Sequence, residues 1–280
     1  MNLQDLISFK DCVQVGDIGA AAINETPVYK ALLHENIAHL NAFEGDARQI
    51  GKIKETYGNA VTVFQDFLFD GTRQTLYVAA EESGMTSLLK PDSKVLRFFN
   101  GFELFGKILR SEEVSTRRLD DVAGVPKIDL LKMDIQGSEL SVLKNGIEKL
   151  ADCVAIQLEV SFICLYENQP PFGEVDVWLR QQGFVPHRFQ MLKGWSIAPT
   201  VFNGDIRNPG NQLLEADLVY IKSPFQIERF TDLQLQKLAL ISHYCFASVD
   251  LCVYLLRALI ERSVLDPSVQ LRYYEMVASS

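Results

Sequence analysis

The chain has 280 residues, 48% hydrophobic and 22% charged, with a formal net charge of −9. That is ample apolar content for a full core, so the chain need not be disordered. A net acidic surface disfavours a phosphate backbone, which is held by clustered Lys and Arg, so nucleic acid is not an expected partner.

The opening residues, MNLQDLISFKDC, show no basic head followed by an apolar run, so no secretory signal is read there. CVQVG (Cys12 to Gly16) has the pattern of a first buried strand closing in a glycine turn. TPVYKALLHENIA (Thr26 to Ala38) predicts a helix, with Thr26 as its cap and Pro27 at the first helical position. HLNAFEGD is a second strand ending at Glu44, and ARQIGKIKETYG an amphipathic helix stopped by Gly58. AVTVFQDFLF reads as a third strand and RQTLYVAA as a further short one, while the region from Ser83 to Arg118 reads as irregular with some helical character. KIDLLKMD is a fourth strand, followed by the helix SELSVLKNGIEKL. CVAIQLEVSF is a fifth strand, GEVDVWLRQQG a helix, FVPHRF a sixth strand and LLEADLVYIKS a seventh. Two helices close the chain between Arg229 and Arg262. The more apolar of them, SVDLCVYLLRALIERS, is broken by Asp250 and Arg257, so no membrane span is expected.

Strands that alternate with helices and read as near-continuous apolar runs indicate a parallel sheet covered on both faces. A ligand of such a sheet lies beyond the carboxyl ends of the strands. Five acids recur at those ends: Asp17, Glu44, Asp66, Asp134 and Glu159. Gly16 and Gly19 let the turn after the first strand approach a ligand closely, although the stretch VGDIGAAAIN is not a G-x-G-x-x-G phosphate cradle. Glu44, at the end of the second strand, is placed to accept both hydroxyls of a ribose. The five cysteines, Cys12, Cys153, Cys164, Cys245 and Cys252, include no Cys-x-x-Cys pair and read as reduced thiols of a cytoplasmic protein. The four histidines, His34, His39, His187 and His243, show no metal-ligand spacing, so no metal is expected.

The block IDLLKMDIQGSELSVLKNG, followed by AIQLEVSFICLYENQPPFGEVDVWLRQQGF, resembles the FkbM-type family of S-adenosylmethionine-dependent methyltransferases. The likeness runs back through VSTRRLDDV, SGMTSLLKPD and FEGDARQIGKI to VGDIGAAAINETPVYKALL, and forward to NPGNQLLEADLVYIKS. It implies a Rossmann-like α/β fold: a seven-stranded class I methyltransferase sheet with the last strand antiparallel, flanked by helices and followed by a C-terminal helical pair. Residues 1–225 would form the methyltransferase domain and 226–280 a helical extension packed on it. The implied activity is methyl transfer from S-adenosylmethionine, usually to a hydroxyl oxygen of a sugar, glycan or secondary metabolite. In that resemblance Gly16, Asp17 and Gly19 line the methionine and ribose end of the cofactor, and Glu44 holds the ribose. Asp66 and Phe67 flank the adenine, Met85, Thr86 and Ser87 close over the site, and Asp134 and Gln136 lie beside the sulfonium and the acceptor. The family's first motif has an Asp inside the strand and a G-A-N-x-G turn; Gln14 and GDIG are read in those places.

A carboxylate beside a sulfonium favours the cation and can take the acceptor's proton, which makes Asp134 the first candidate base and Glu159 the second. Glu139, in the first turn of its helix, reads as a capping residue, and His187 as structural. Trp195 and Phe202 are the aromatic residues of a loop that could stack on a sugar face. The closing helices read as core packing, with a lid or a homodimer surface as alternatives. Two other functions compete: a nucleoside-binding scaffold of the same fold that has lost turnover, and a nicotinamide-dependent oxidoreductase.

Overall fold

Alternate residues of a strand point to opposite faces. In the computed structural model, which describes residues 2–20, 26–80 and 83–279, the apolar runs bury both faces of a central sheet. In chain order the first half contains α1 (Leu3–Leu6), β1 (Val13–Ile18), α2 (Lys30–His34), β2 (Ala38–Phe43), α3 (Ala47–Tyr57) and β3 (Val61–Phe64). There follow β4 (Phe67–Leu68), β5 (Arg73–Val78), α4 (Ser93–Leu96), α5 (Phe102–Phe105) and β6 (Arg110–Arg117). The second half holds β7 (Leu130–Met133), α6 (Glu139–Lys144), β8 (Ala155–Ser161), α7 (Phe172–Gln181), β9 (Phe184–Trp195) and β10 (Gln212–Lys222). Three helices end the chain: α8 (Asp232–Tyr244), α9 (Val249–Glu261) and α10 (Val269–Ala278).

The main sheet has seven strands in the order β3-β2-β1-β7-β8-β10-β9. Strands β1, β2, β3, β7 and β8 pair in parallel, and β10 runs antiparallel to both of its neighbours. This is the class I methyltransferase sheet, with its last strand reversed. On one face Val13, Val15, Leu40 and Leu130 pack with Leu235, Leu238, Leu255 and Leu259 of α8 and α9. On the other, Ile18, Leu131, Met133 and Leu158 pack with Leu140 of α6 and Leu179 of α7. A third apolar cluster, built on Phe99, Phe102, Trp195 and Leu214, lies under α4 and α5. A small sheet in the order β4-β6-β5 stands beside the main one.

Several boundaries move relative to the sequence reading. The first strand runs on to Ile18, so Asp17 lies inside the strand and not in the turn after it; the departure read from the family's first motif dissolves at that position. The turn's later residues, Ala21 to Asn24, lie outside the described residues. The helix expected from Thr26 forms only over Lys30–His34, because the Lys30 amide first closes a turn onto the Pro27 carbonyl. The run AVTVFQDFLF splits at Gln65 and Asp66, and Phe67 pairs with Thr116 in the small sheet. β6 lies in the stretch read as irregular: of its eight residues only Thr116 is buried, so no apolar alternation marks it. α10 adds a third closing helix whose Tyr273 and Val269 join the core under α8 and α9.

Candidate active site

At the carboxyl ends of the strands, one sheet face changes from apolar to charged. Asp17 stands two residues beyond Val15 on β1, and Lys132 two beyond Leu130 on β7; the two are direct neighbours in register. Gln157 neighbours Lys132 on β8, and Glu159 lies opposite Asp217 on β10. A register shift at Leu214 sets Glu215 opposite Lys193 of β9, and bulges of this kind re-aim side chains next to functional sites. A row of acids and lysines thus crosses five strands. It floors a cavity of about 870 Å³.

The innermost group is built on Asp17, which is only 3% exposed. Tyr29 Oη donates to Asp17 Oδ2, and Lys132 Nζ lies 3.4 Å from Oδ1. Burial and the neighbouring carboxylate both hold the Tyr29 phenol protonated, well above its ordinary range. Burial works against the Lys132 ammonium, yet Asp17 and Asp134 outweigh it and hold the proton more tightly than usual.

Past β7 the chain turns sharply through Gln136, whose φ is +57°. The turn aims the Gln136 amide back across the strand ends. Its Nε2 donates to Asp134 Oδ1 at 2.8 Å and reaches Glu159 Oε1 at 3.5 Å. Its Oε1 accepts from Tyr166 Oη at 2.9 Å, and its backbone carbonyl accepts from Ser87 Oγ at 2.7 Å. One amide therefore aligns both candidate bases. Burial, reinforced by Glu215 and Asp134, pushes Glu159 well above the usual carboxylate range. Glu139 is held by the turn: its Oε1 accepts from the Ile135 and Gly137 amides at 3.1 and 3.2 Å. Burial raises its carboxyl to about 7.

Glu44 follows β2 and accepts from the Asp46 amide at 2.7 Å. Gly45 beside it has no room for a side chain, since a Cβ there would come within 2.3 Å of the Phe67 ring. Phe67 is thereby laid along the Glu44 segment, and Asp66 pairs with Arg117 at 3.1 Å. Glu44, Asp66 and Phe67 line one end of the cavity, Asp134, Gln136 and Glu159 the other, with Asp17 and Gly19 between; Met85, Thr86 and Ser87 line it as well. Gly16 is the exception. Its missing Cβ would point at Ile128 and Leu131 on the opposite face, as strand alternation demands of the residue before Asp17, so it serves packing and does not face the cavity.

The sequence reading missed Tyr29, Lys132, Tyr166, Lys193, Glu215 and Asp217. The signal for Lys132 was present: one polar residue in a run of apolar ones, at the alternation that ends in Asp134. Lys193 and Glu215 needed the bulge, which no local pattern announces. Trp195 is buried against Phe102, with its Nε1 donating to the Asn100 carbonyl at 2.8 Å. Phe202 is exposed and does not line the cavity. His187 bonds Ser248 at 3.0 Å on the helical side, also off the cavity.

Among the described residues, four buried side-chain atoms lack a hydrogen-bond partner: Asp17 Oδ1, Ser138 Oγ and Gln157 Oε1 line this cavity, and Tyr244 Oη lies away from it. Buried polar atoms are nearly always paired, so orphans gathered in one cavity mark a polar ligand. A cationic nucleoside fits the donor set: acids at both ends, an aromatic ring beside Glu44, and a volume suited to a small molecule.

A model of the FkbM methyltransferase domain matches residues 17–186. The 2-O-methyltransferase NoeI of Sinorhizobium fredii is 30% identical over 149 residues, which is 49% of this chain and 60% of that protein. This chain thus spans less than two thirds of that relative's length. Among solved structures, the magnesium protoporphyrin IX methyltransferase of Synechocystis with bound S-adenosylmethionine aligns at 13% identity and a TM-score of 0.37, over 79% of this chain and 76% of that one. DhpI in complex with S-adenosylhomocysteine aligns at 8% identity and a TM-score of 0.34, over 79% and 82%. With a family match over more than half its length and a class I sheet, this chain belongs to the FkbM methyltransferases, which use S-adenosylmethionine.

Proposed function

We propose that the chain transfers the methyl group to a hydroxyl oxygen of a sugar, glycan or secondary metabolite. The observation that carries this reading is the bridging of Asp134 and Glu159 by the single amide of Gln136 at the acceptor end of the cavity. S-adenosylmethionine, when bound, supplies a methyl group already activated for in-line displacement. The chain's own task is then to bind, align and keep water out.

In this reading Glu44 holds the ribose hydroxyls, and Phe67 and Asp66 flank the adenine. Asp17 and the Gly19 turn carry the amino-acid end. Asp134 faces the cationic centre with its carboxylate fixed by Gln136. Glu159 takes the hydroxyl proton, since a base performs best when its proton affinity lies near the working pH and burial has moved Glu159 in that direction. Lys193, held by Glu215 on the adjoining strand, offsets the concentration of negative charge. The name of the relative, a 2-O-methyltransferase, favours oxygen as the methyl acceptor.

Isothermal titration of the purified chain with S-adenosylmethionine and S-adenosylhomocysteine tests the assignment. Both bind the native chain, and Glu44→Ala weakens both by at least about a hundredfold, the loss of two charge-assisted hydrogen bonds. Absence of binding by the native chain would overturn the reading. Methyl transfer from labelled S-adenosylmethionine to a panel of glycosides and phenols then tests the acceptor class, with Glu159→Gln expected to abolish transfer while leaving S-adenosylhomocysteine affinity intact.

A further inference from the structure

Two segments are stitched into one face beside the cavity: residues 93–109, which contain α4 and α5, and the loop 196–211 between β9 and β10. Phe99 bridges to Ile197, and the Ala198 backbone N–H donates to the Phe98 carbonyl at 2.9 Å. The buried Asn100 side chain donates to Ser196 Oγ at 2.9 Å and to the Thr200 carbonyl. The face is therefore firmly built, yet its outer side is apolar. Leu104 is 66% exposed and Leu109 62%, and Phe98, Ile197, Phe202 and Ile206 of the same two segments are exposed as well. Grouped apolar exposure of this kind marks an interaction surface, and charge narrows the choice of partner. The face carries Lys94, Arg97, Lys107 and Arg207 against Glu103 and Asp205, on a chain whose net charge is −9. Glu103 is engaged by Arg97 at 3.2 Å, whereas Lys94, Lys107 and Arg207 have no ion-pair partner among the described residues. Arg207 instead lies over the Phe105 ring at 5.2 Å.

We propose that this face docks the chain peripherally on an anionic lipid surface, with Leu104, Leu109 and Phe202 entering the headgroup layer and Lys94, Lys107 and Arg207 meeting its phosphates. Apolar side chains that enter the interface and cations that stay at headgroup level act together, each alone being weak. A second copy of the chain fits less well, because a two-fold contact through this face brings the same cations against one another. A protein partner seated here would also cover Phe105 and Arg207, which line the cavity; a fluid lipid layer leaves the cavity open to molecules of that layer. The proposal concerns this surface and stands whether or not the cavity transfers a methyl group.

The test is co-sedimentation of the full chain with vesicles of phosphatidylcholine mixed with phosphatidylglycerol, and with vesicles of phosphatidylcholine alone. The native chain binds the mixed vesicles, and binds the neutral ones about tenfold less tightly or worse. Added salt weakens the first interaction, since exposed charges are screened. Leu104→Ser combined with Phe202→Ser weakens binding to the mixed vesicles by about tenfold or more. Lys107→Glu weakens it by about fivefold or more and makes it less sensitive to salt. Both variants keep the urea midpoint of the native chain, because the altered side chains are exposed. Should the double variant not fold, Lys107→Glu alone carries the test. No binding of the native chain to the mixed vesicles overturns the inference, as does equal binding to both kinds or native affinity in the variants. A native dimer in sedimentation velocity that the double variant abolishes, with no vesicle binding, overturns it in favour of an interface between copies.

Discussion

Gly19 and Asp134 meet backbone to backbone: a Cβ on Gly19 would lie 2.3 Å from the Asp134 carbonyl oxygen, and Gly19 holds a φ of +79°. The turn after β1 is thus moulded on the end of β7, where one candidate base sits. Gly19→Ala meets both a left-handed backbone, which costs about 1–2 kcal/mol for a residue with a Cβ, and a contact with backbone that has nowhere to retreat. The variant is expected to lose about 3 kcal/mol of stability in urea unfolding and to bind S-adenosylhomocysteine measurably less tightly. A loss in stability with binding fully preserved would show that the contact does not position Asp134.

Gly45 presents a different case, because its obstacle is the Phe67 ring and not its own backbone. Gly45→Ala is therefore expected to displace the ring from its root, at a cost of about 1–3 kcal/mol in stability. Nucleoside affinity falls about tenfold. Adding Gly45→Ala to Phe67→Ala has little further effect, since the ring it pushes is already gone. Additive losses in this cycle, read by calorimetry, would refute an action through Phe67.

Glu139 gives a pH signature with a definite sign. Its carboxyl is raised from 4.5 to about 7, so the folded chain keeps the proton to higher pH than the unfolded chain does. Its contribution to stability, on the order of 3 kcal/mol, is complete below pH 4.5 and is lost as pH rises through about 7. Glu139→Gln keeps an acceptor for the Ile135 and Gly137 amides and does not titrate. The stability of the native chain relative to this variant should fall across that window and then level off. Parallel curves for the two proteins would exclude Glu139 as the source.

Far from the cavity, Lys237 of α8 is buried with Asp129 at 2.8 Å, and the Gln14 backbone N–H donates to the same Asp129 oxygen at 2.8 Å. Lys237→Met strands the carboxylate and is expected to cost about 3–5 kcal/mol. Lys237→Met combined with Asp129→Asn, which retains an acceptor for Gln14, recovers a large part of that loss. Urea unfolding of both variants decides it; a double variant no better than the single one would mean that the charge itself is not what is buried at a cost.

The parts legible in the sequence are those set by local pattern. The dense apolar run before Asp134, Glu44 at the close of β2 and the Gly58 stop after α3 all follow from periodicity and turn chemistry. β6 was lost because its partners are a two-residue strand and a surface strand, leaving charged residues on both sides. β9 was cut short at Phe189 because its continuation to Trp195 depends on pairing with β10, not on its own composition. The same holds at the site. Asp17, Asp134 and Glu159 announce themselves as acids at strand ends, whereas Lys132, Tyr29 and Lys193 acquire meaning only from what stands opposite them.

Each charged group in the floor is contributed by a strand whose neighbours are fixed only by pairing, from Asp17 on β1 to Lys193 on β9. Because side chains alternate, slipping any one of these strands by a single residue would carry its contribution to the far side of the sheet. No partly assembled chain can therefore offer a reduced version of the binding surface. Ligand affinity becomes a readout of correct strand alignment throughout, and a tightly bound nucleoside in turn shifts the folding equilibrium towards the one alignment that can hold it.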